Sequence, residues 1–199
     1  MTKLTTIPSI VAVSPNEFRE FIIYLNDHLA ENGSPEVGYF QPMARNASIF
    51  PADREAAFLV GLEVPVANSG WRRAWVARSP EGKIVGHIDL RAHPDRFTEH
   101  RCLLGMGVHR EHRKRGVGGA LIEYAKRWAA SSESLEWIDL QVLTSNLTAI
   151  DLYRKAGFQT VGEIVNMFKL DNQYLSYTTM NIHMNYSPCK GARGQVLNP

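Results

Sequence analysis

Cysteine is scarce. Only Cys102 and Cys189 occur in 199 residues, far apart, and no Cys/His cluster has the spacing of zinc ligands. A disulfide-stapled scaffold and a zinc module are thereby excluded, and two free thiols suit a reducing compartment. Excess charge is missing as well. The 22 Lys and Arg against 20 Asp and Glu leave a formal net charge of +2, too small for nucleic-acid binding by bulk charge. No apolar run approaches the roughly 20 residues of a membrane span, and no hydrophobic signal region follows Lys3. The expectation is a cytoplasmic protein without a metal. The hydrophobic share of 44% and the charged share of 21% are those of an ordinary globular domain with a real core.

The chain alternates short strand and helix signals. Residues 9–14 (SIVAVS) form a β-rich run, and Ser14-Pro15 starts a helix carrying Phe18, Phe21, Ile22, Leu25 and Leu29 at helical spacing. A loop rich in Gly, Pro, Asn and Ser spans 31–51, and a second helix follows with Phe58, Leu59 and Leu62. WRRAWVAR, KIVGHIDLRAH and EHRCLLGMGVH are separated by short turns and predict an antiparallel meander. His87, Asp89 and Arg91 share one strand face by alternation. WIDLQVL predicts another strand. A helix from Ser145 has Leu147, Ile150 and Tyr153 as its expected inner face, and Gly157 ends it. FQTVGEIVNMF and LSYTTMNIHM close the pattern as a hairpin. The reading is one α+β domain over 1–186, with a mixed, mostly antiparallel sheet flanked by helices, and a flexible tail over 187–199.

One junction breaks the usual rules. A helix with Val117, Leu121, Tyr124, Ala125 and Trp128 on one stripe is entered through Arg113, Lys114, Arg115, Gly116, Gly118 and Gly119. A helix N-terminus carries partial positive charge and orphan N–H groups, so cations there are unfavourable and a capping side chain is expected. An anion resolves the conflict: it supplies the cap, the glycines let the backbone approach it, and the cations neutralise it. The alternative is a solvated basic turn with glycines for packing. The Walker pattern is absent, Leu121 stands where a dinucleotide fingerprint needs a third glycine, and no aromatics interleave the cations as in a nucleic-acid module.

Arg113-Lys114-Arg115-Gly116-Val117-Gly118 has the form Arg-x-x-Gly-x-Gly, five residues after a strand ending at Val108. With LQVLTSNLTAIDLYRKAGF over 140–158, it resembles the GCN5-related N-acetyltransferase (GNAT) family. The resemblance covers most of residues 8–186 and looks closest to bacterial members acting on small amines or amino acids. It implies a GNAT-like fold with a splay between the strand ending near Val108 and strand 137–143. It implies acetyl-CoA as donor, its pyrophosphate on Arg113, Lys114, Arg115, Gly116, Val117, Gly118 and Gly119. Its pantetheine arm would lie along Met106, Gly107 and Val108, and Asn146 would contact it. Asn146 is equally readable as a helix cap.

The resemblance further implies Tyr153 as the general acid that protonates the departing thiolate, where periodicity alone reads a core residue. At the two positions where relatives carry a glutamate base, this chain has Gln141 and Cys102. His100 is the candidate base named in their place, with Glu99, His87 and Asp89 as alternatives. The missing carboxylate also suits an α-amine, whose pKa near ~8 leaves it partly neutral unaided. Arg72 or Arg73 is a candidate for gripping a substrate carboxylate, and the loop 31–51 for roofing the site. The function implied is acetyl-CoA-dependent N-acetylation of a primary amine: a small amine, an amino acid or a peptide N-terminus. The alternative is a catalytically silent acyl-CoA-binding module. A homodimer is compatible with this reading; membrane and nucleic-acid partners are not expected.

Overall fold

The computed structural model describes residues 8–184; the tail expected at 187–199 lies outside them. Its strands are β1 (Ser9–Ala12), β2 (Arg72–Arg78), β3 (Ile84–Ala92), β4 (Arg101–Val108), β5 (Trp137–Leu143), β6 (Gln159–Leu170) and β7 (Gln173–His183). The helices are α1 (Phe18–Leu29), α2 (Ala52–Gly61), α3 (Val117–Ala130) and α4 (Leu147–Lys155). The seven strands form one mixed sheet in the order β1-β2-β3-β4-β5-β7-β6, with the expected β2-β3-β4 meander antiparallel throughout.

Strand alternation divides the core in two. Ala74 and Val76 of β2 face α1 and α2, where Phe18, Phe21, Ile22, Leu25 and Phe58 cover them. Trp75 and Ala77 belong to the larger core beneath α3 and α4, with Ile88, Leu90, Leu121, Ile122 and Leu140. Trp75 packs its ring 5.1 Å from Trp128 and 5.6 Å from Tyr124, so the α3 stripe read from the sequence meets β2.

Among the described residues the only parallel pairing is β4 with β5, and it is short. Arg101, Cys102 and Leu103 pair with Trp137, Ile138 and Asp139, and the strands then part. Asp139 is buried and accepts two hydrogen bonds from Arg101, from Nε at 2.8 Å and from the guanidinium end at 2.5 Å. This fork-on-fork pair pins the strands together where the splay begins. Past Leu103, β4 keeps its β3 partner up to Val108 but has no β5 partner.

Three details depart from expectation. Leu147 is 67% exposed, whereas Ile150 and Tyr153 are buried. Steps of three residues fall short of a full turn by ~60° each, so Leu147 and Tyr153 lie on different faces. Ala149, Leu152 and Ala156 complete the inner face instead. Leu59 is half exposed on α2, where Phe58 is the buried anchor. Strand β4 begins only at Arg101, so Glu99 and His100 sit in the preceding turn and are off the strand face shared with Cys102.

Candidate active site

On the α1/α2 face, β3 and β4 make an asymmetric pair. His87 lies directly opposite Gly107, and Asp89 opposite Gly105. The bare glycines let the polar side chains of β3 lean over β4. A Cβ at Gly107 would meet His28 Nε2 at 2.4 Å and His87 Cε1 at 2.7 Å; one at Gly105 would meet Asp89 Oδ1 at 2.6 Å. Over this floor opens a cavity of about 560 Å³. Its walls include Phe21 and His28 of α1, Phe58 of α2, Gln41 and Met43 of the long loop, and Met106.

The loop is fixed by Asn32, which is fully buried. Its Nδ2 donates to the carbonyls of Gln41 (3.2 Å) and Met43 (3.0 Å) and to Ser48 Oγ (2.9 Å). Its Oδ1 accepts from the N–H groups of Phe40 and Gln41, each at 2.9 Å. A loop without regular secondary structure over most of its length thus folds around one amide, in keeping with the rule that buried backbone groups find partners. Tyr39 and the N–H of Arg45 both bond Asp171, tying the loop to the β6–β7 turn. The expected roof is therefore a wall with its own internal framework.

Three histidines line the cavity, His28, His87 and His93, and the first two lie deepest. His28 and His87 are both buried, with ring centroids 5.7 Å apart, and Tyr24 Oη lies 3.2 Å from His87 Nδ1. Nδ1 of His28 is buried without a hydrogen-bond partner among the described residues. Burial pushes the His28 pKa down to about 3, helped by the neighbouring His87 and Arg113, and burial alone takes His87 to about 3. Both are therefore neutral imidazoles at physiological pH. His100 is not among the cavity's lining residues. It sits at the far end of β4, where its carbonyl accepts from the N–H groups of Glu136 and Trp137. Cys102 is fully buried and its thiol is pushed up to about 12 by burial, so it is inert as a base, and Gln141 points to solvent.

The other edge of β4 leads to the basic turn. Gly116 caps α3 in the left-handed conformation (φ 84°), and no side chain caps the helix. A Cβ on Gly118 would press within 2.9 Å of Leu152 Cδ2, so that glycine lets α3 approach α4. Gly116 and Gly119 face open space, as an anion site at a helix start requires. The three cations differ. Arg113 Nε donates to the Val108 carbonyl at 3.1 Å, and its guanidinium pairs with Glu31. Lys114 and Arg115 are exposed. Arg113 thus fastens the end of β4 to the end of α1, and the two neighbours carry the free charge.

Tyr153 on α4 is buried in the core that includes Leu104 of β4 with Leu140 and Val142 of β5, the two strands bordering the splay. Burial raises its phenol pKa, Tyr177 adding in the same direction, so the hydroxyl stays protonated and can donate. Asn146 caps α4, its Oδ1 accepting from the Ala149 N–H at 3.2 Å. Arg72 reaches the cavity, whereas Arg73 caps α2 by donating to the carbonyls of Leu62 (2.9 Å) and Gly61 (3.3 Å).

In the same turn, His109, Glu111 and His112 bring ligand atoms within 4.8 Å of one another, a grouping invisible as zinc spacing. Both nitrogens of His109 are already engaged: Nδ1 accepts from the Glu111 N–H, and Nε2 faces Asp27 at 3.3 Å.

Comparison with known proteins agrees with this geometry. Residues 46–158 match the Acetyltransferase (GNAT) family. A streptothricin acetyltransferase from Escherichia coli is 27% identical over 180 residues, covering 89% of this chain and 92% of that one. A GNAT-family acetyltransferase from Streptococcus pneumoniae superposes with a TM-score of 0.73 at 22% identity, covering 88% and 98% of the two chains. A phosphinothricin acetyltransferase from Sinorhizobium meliloti, solved in complex with AcCoA, gives a TM-score of 0.69 at 16% identity, covering 89% of each chain. With a splayed mixed sheet, an uncapped glycine-rich helix start and a family match over more than half its length, this chain belongs to the acetyltransferase (GNAT) family.

Proposed function

We propose that this acetyltransferase moves the acetyl group of acetyl-CoA to a primary amine by direct attack on the thioester, without a covalent enzyme intermediate. The observation that carries the reading is the edge of β4. Beyond Leu103 its main chain has no β5 partner, and it runs from the glycine-floored cavity to the uncapped start of α3. The diphosphate of the donor would be held by the first N–H groups of α3 and by Lys114 and Arg115, with Arg113 bracing the turn. Main-chain N–H groups near Met106 and Val108 would orient the thioester and stabilise charge on its oxygen. Tyr153, kept protonated by burial, would give its proton to the departing sulfur.

The amine must be neutral to attack. In place of the carboxylate base missing at Gln141 and Cys102, the neutral imidazoles of His28 and His87 face the cavity as hydrogen-bond acceptors for the amine; held neutral by burial, they leave its deprotonation to water. Asn146 contributes by capping α4 and so positioning Tyr153. The exposed apolar residues of the edge strand β6 (Val161, Ile164 and Val165) support assembly as a homodimer.

The test is amine-dependent thiol release from acetyl-CoA, followed in the native protein and in Tyr153→Phe. The variant should bind acetyl-CoA with unchanged affinity and lose roughly 10- to 10³-fold in kcat, the scale of a lost general acid. Undiminished turnover removes Tyr153 from the mechanism. A silent acyl-CoA-binding module would bind acetyl-CoA in calorimetry and release no thiol with any amine.

A further inference from the structure

The cavity carries an excess of positive charge. Arg54, Arg72 and Arg91 line it, and Asp89 is the only carboxylate among the lining residues. Two of these arginines are placed against each other: Arg72 of β2 pairs directly with Arg91 of β3. Like charges directly opposite across an antiparallel pair destabilise the sheet. Asp89 relieves this only in part, because both guanidinium groups converge on the same oxygen. Oδ2 of Asp89 lies 3.5 Å from Arg72 Nε and 3.1 Å from Arg91. Oδ1 is turned instead toward Gly105, beside Met106. Arg72 is held in place by stacking over Phe58 at 4.1 Å, and burial pushes its pKa downward, the signature of a cation short of counter-charge.

The cavity therefore offers a pair of guanidinium forks with donors to spare, and one carboxylate oxygen beside the β4 edge. We infer that the acceptor is a primary amine bearing an oxyanion close to its nitrogen, a 2-amino acid being the simplest member. Its carboxylate lies on Arg72 and Arg91, and its amine gives an N–H to Asp89 Oδ1. Arg binds carboxylates through paired N–H groups, and a buried charge-assisted bond of this kind is among the stronger polar contacts. The excess of two positive charges among the lining residues disfavours a polyamine and lowers the cost of a neutral attacking nitrogen. Phe21, Leu25, Phe50 and Phe58 make one apolar part of the wall, which suits an apolar side chain on the acceptor.

This inference rests on the acetyl-transfer reading above, and the experiment separates the two. Thiol release from acetyl-CoA is measured with the twenty amino acids. The best of them is then compared with its own amide, its decarboxylated amine and spermidine. The acid should exceed its amide and amine by about 10- to 100-fold in kcat/KM, the scale of a lost buried charged hydrogen bond. Arg91→Gln should lower kcat/KM for the acid by more than for the amide, so that the preference shrinks, and Arg91→Lys should restore part of it. Equal turnover of acid and amide, or a preference for spermidine, overturns the inference and leaves the acetyl-transfer reading intact. A second arm uses calorimetry with coenzyme A present and needs no turnover. Binding of the acid but not its amide, with no amine acetylated, sustains the inference and overturns the acetyl-transfer reading. No binding of any amino acid, with none turned over, overturns the inference.

Discussion

Acid should weaken this protein first through His28 and His87. An imidazole free in the unfolded chain takes its proton near pH 6.5, whereas both of these are depressed to about 3 in the fold. Above pH 6.5 neither state binds the proton, and the stability is fully present. As pH falls below 6.5 the unfolded chain gains protons that the native state refuses, so stability declines until the folded value near 3 is reached. Integrated from pH 7.5 to pH 5, each histidine accounts for about 2 kcal/mol and the pair for about 4 kcal/mol at most, a large share of the 5–15 kcal/mol typical of a domain. Asp27 and Glu20, whose pKa values are lowered by bonds to Arg110 and Arg78, also lose stability in acid, but only below about pH 4.5. The window from 6.5 to 5 therefore reports the imidazoles. Urea unfolding of the native protein, His28→Asn, His87→Gln and the double variant at half-unit intervals measures the slope. The native chain should take up close to two protons on unfolding at pH 5, each single variant about one fewer, and the double variant about two fewer. A double variant that keeps the native slope would refute the assignment of neutral, buried histidines.

Other consequences are open to direct measurement. Gly107→Ala places a methyl group where His28 and His87 already stand, and should cost about 1–3 kcal/mol in urea midpoint analysis while lowering amine turnover. Asn32→Ala removes the amide that five loop groups share; about 2–4 kcal/mol and new proteolytic cuts within 33–50 are expected. Cys102, buried with its thiol pushed up to about 12, should resist iodoacetamide at pH 8 in the native state and react promptly in urea. Mass analysis of the peptide containing Cys102 distinguishes these outcomes.

Periodicity and turn signals made the strands legible even where, as in β2 and β3, both faces are buried, and the basic turn stood out because its charges contradict the helix dipole. The alternation of His87, Asp89 and Arg91 was readable for the same reason. What these side chains touch was not, since Gly105 and Gly107 acquire meaning only when β4 lies beside β3. His28 escaped notice because it rides the buried stripe of α1, one turn beyond Leu25, and nothing local marks it as polar cargo for a distant strand. Arg113 was grouped with Lys114 and Arg115 on charge alone. Its bond to Glu31 depends on how α1 ends, which no spacing within the turn encodes. His100 lies outside the cavity lining because it sits in the turn before β4, at the end of that strand remote from Gly107.

The short β4–β5 ladder has a mechanical consequence. Three paired positions, the bonds to the His100 carbonyl and one Arg–Asp fork join a meander of four strands to a block of three, so the line of least resistance through the sheet runs along the gap. A small change in the mutual twist of the two blocks would break no other sheet bond, though it would shear the core that both share, and a guest lying in the gap would act as the rib that makes the sheet continuous. Tension applied across that line should part the halves there first, and a bound guest should raise the force required.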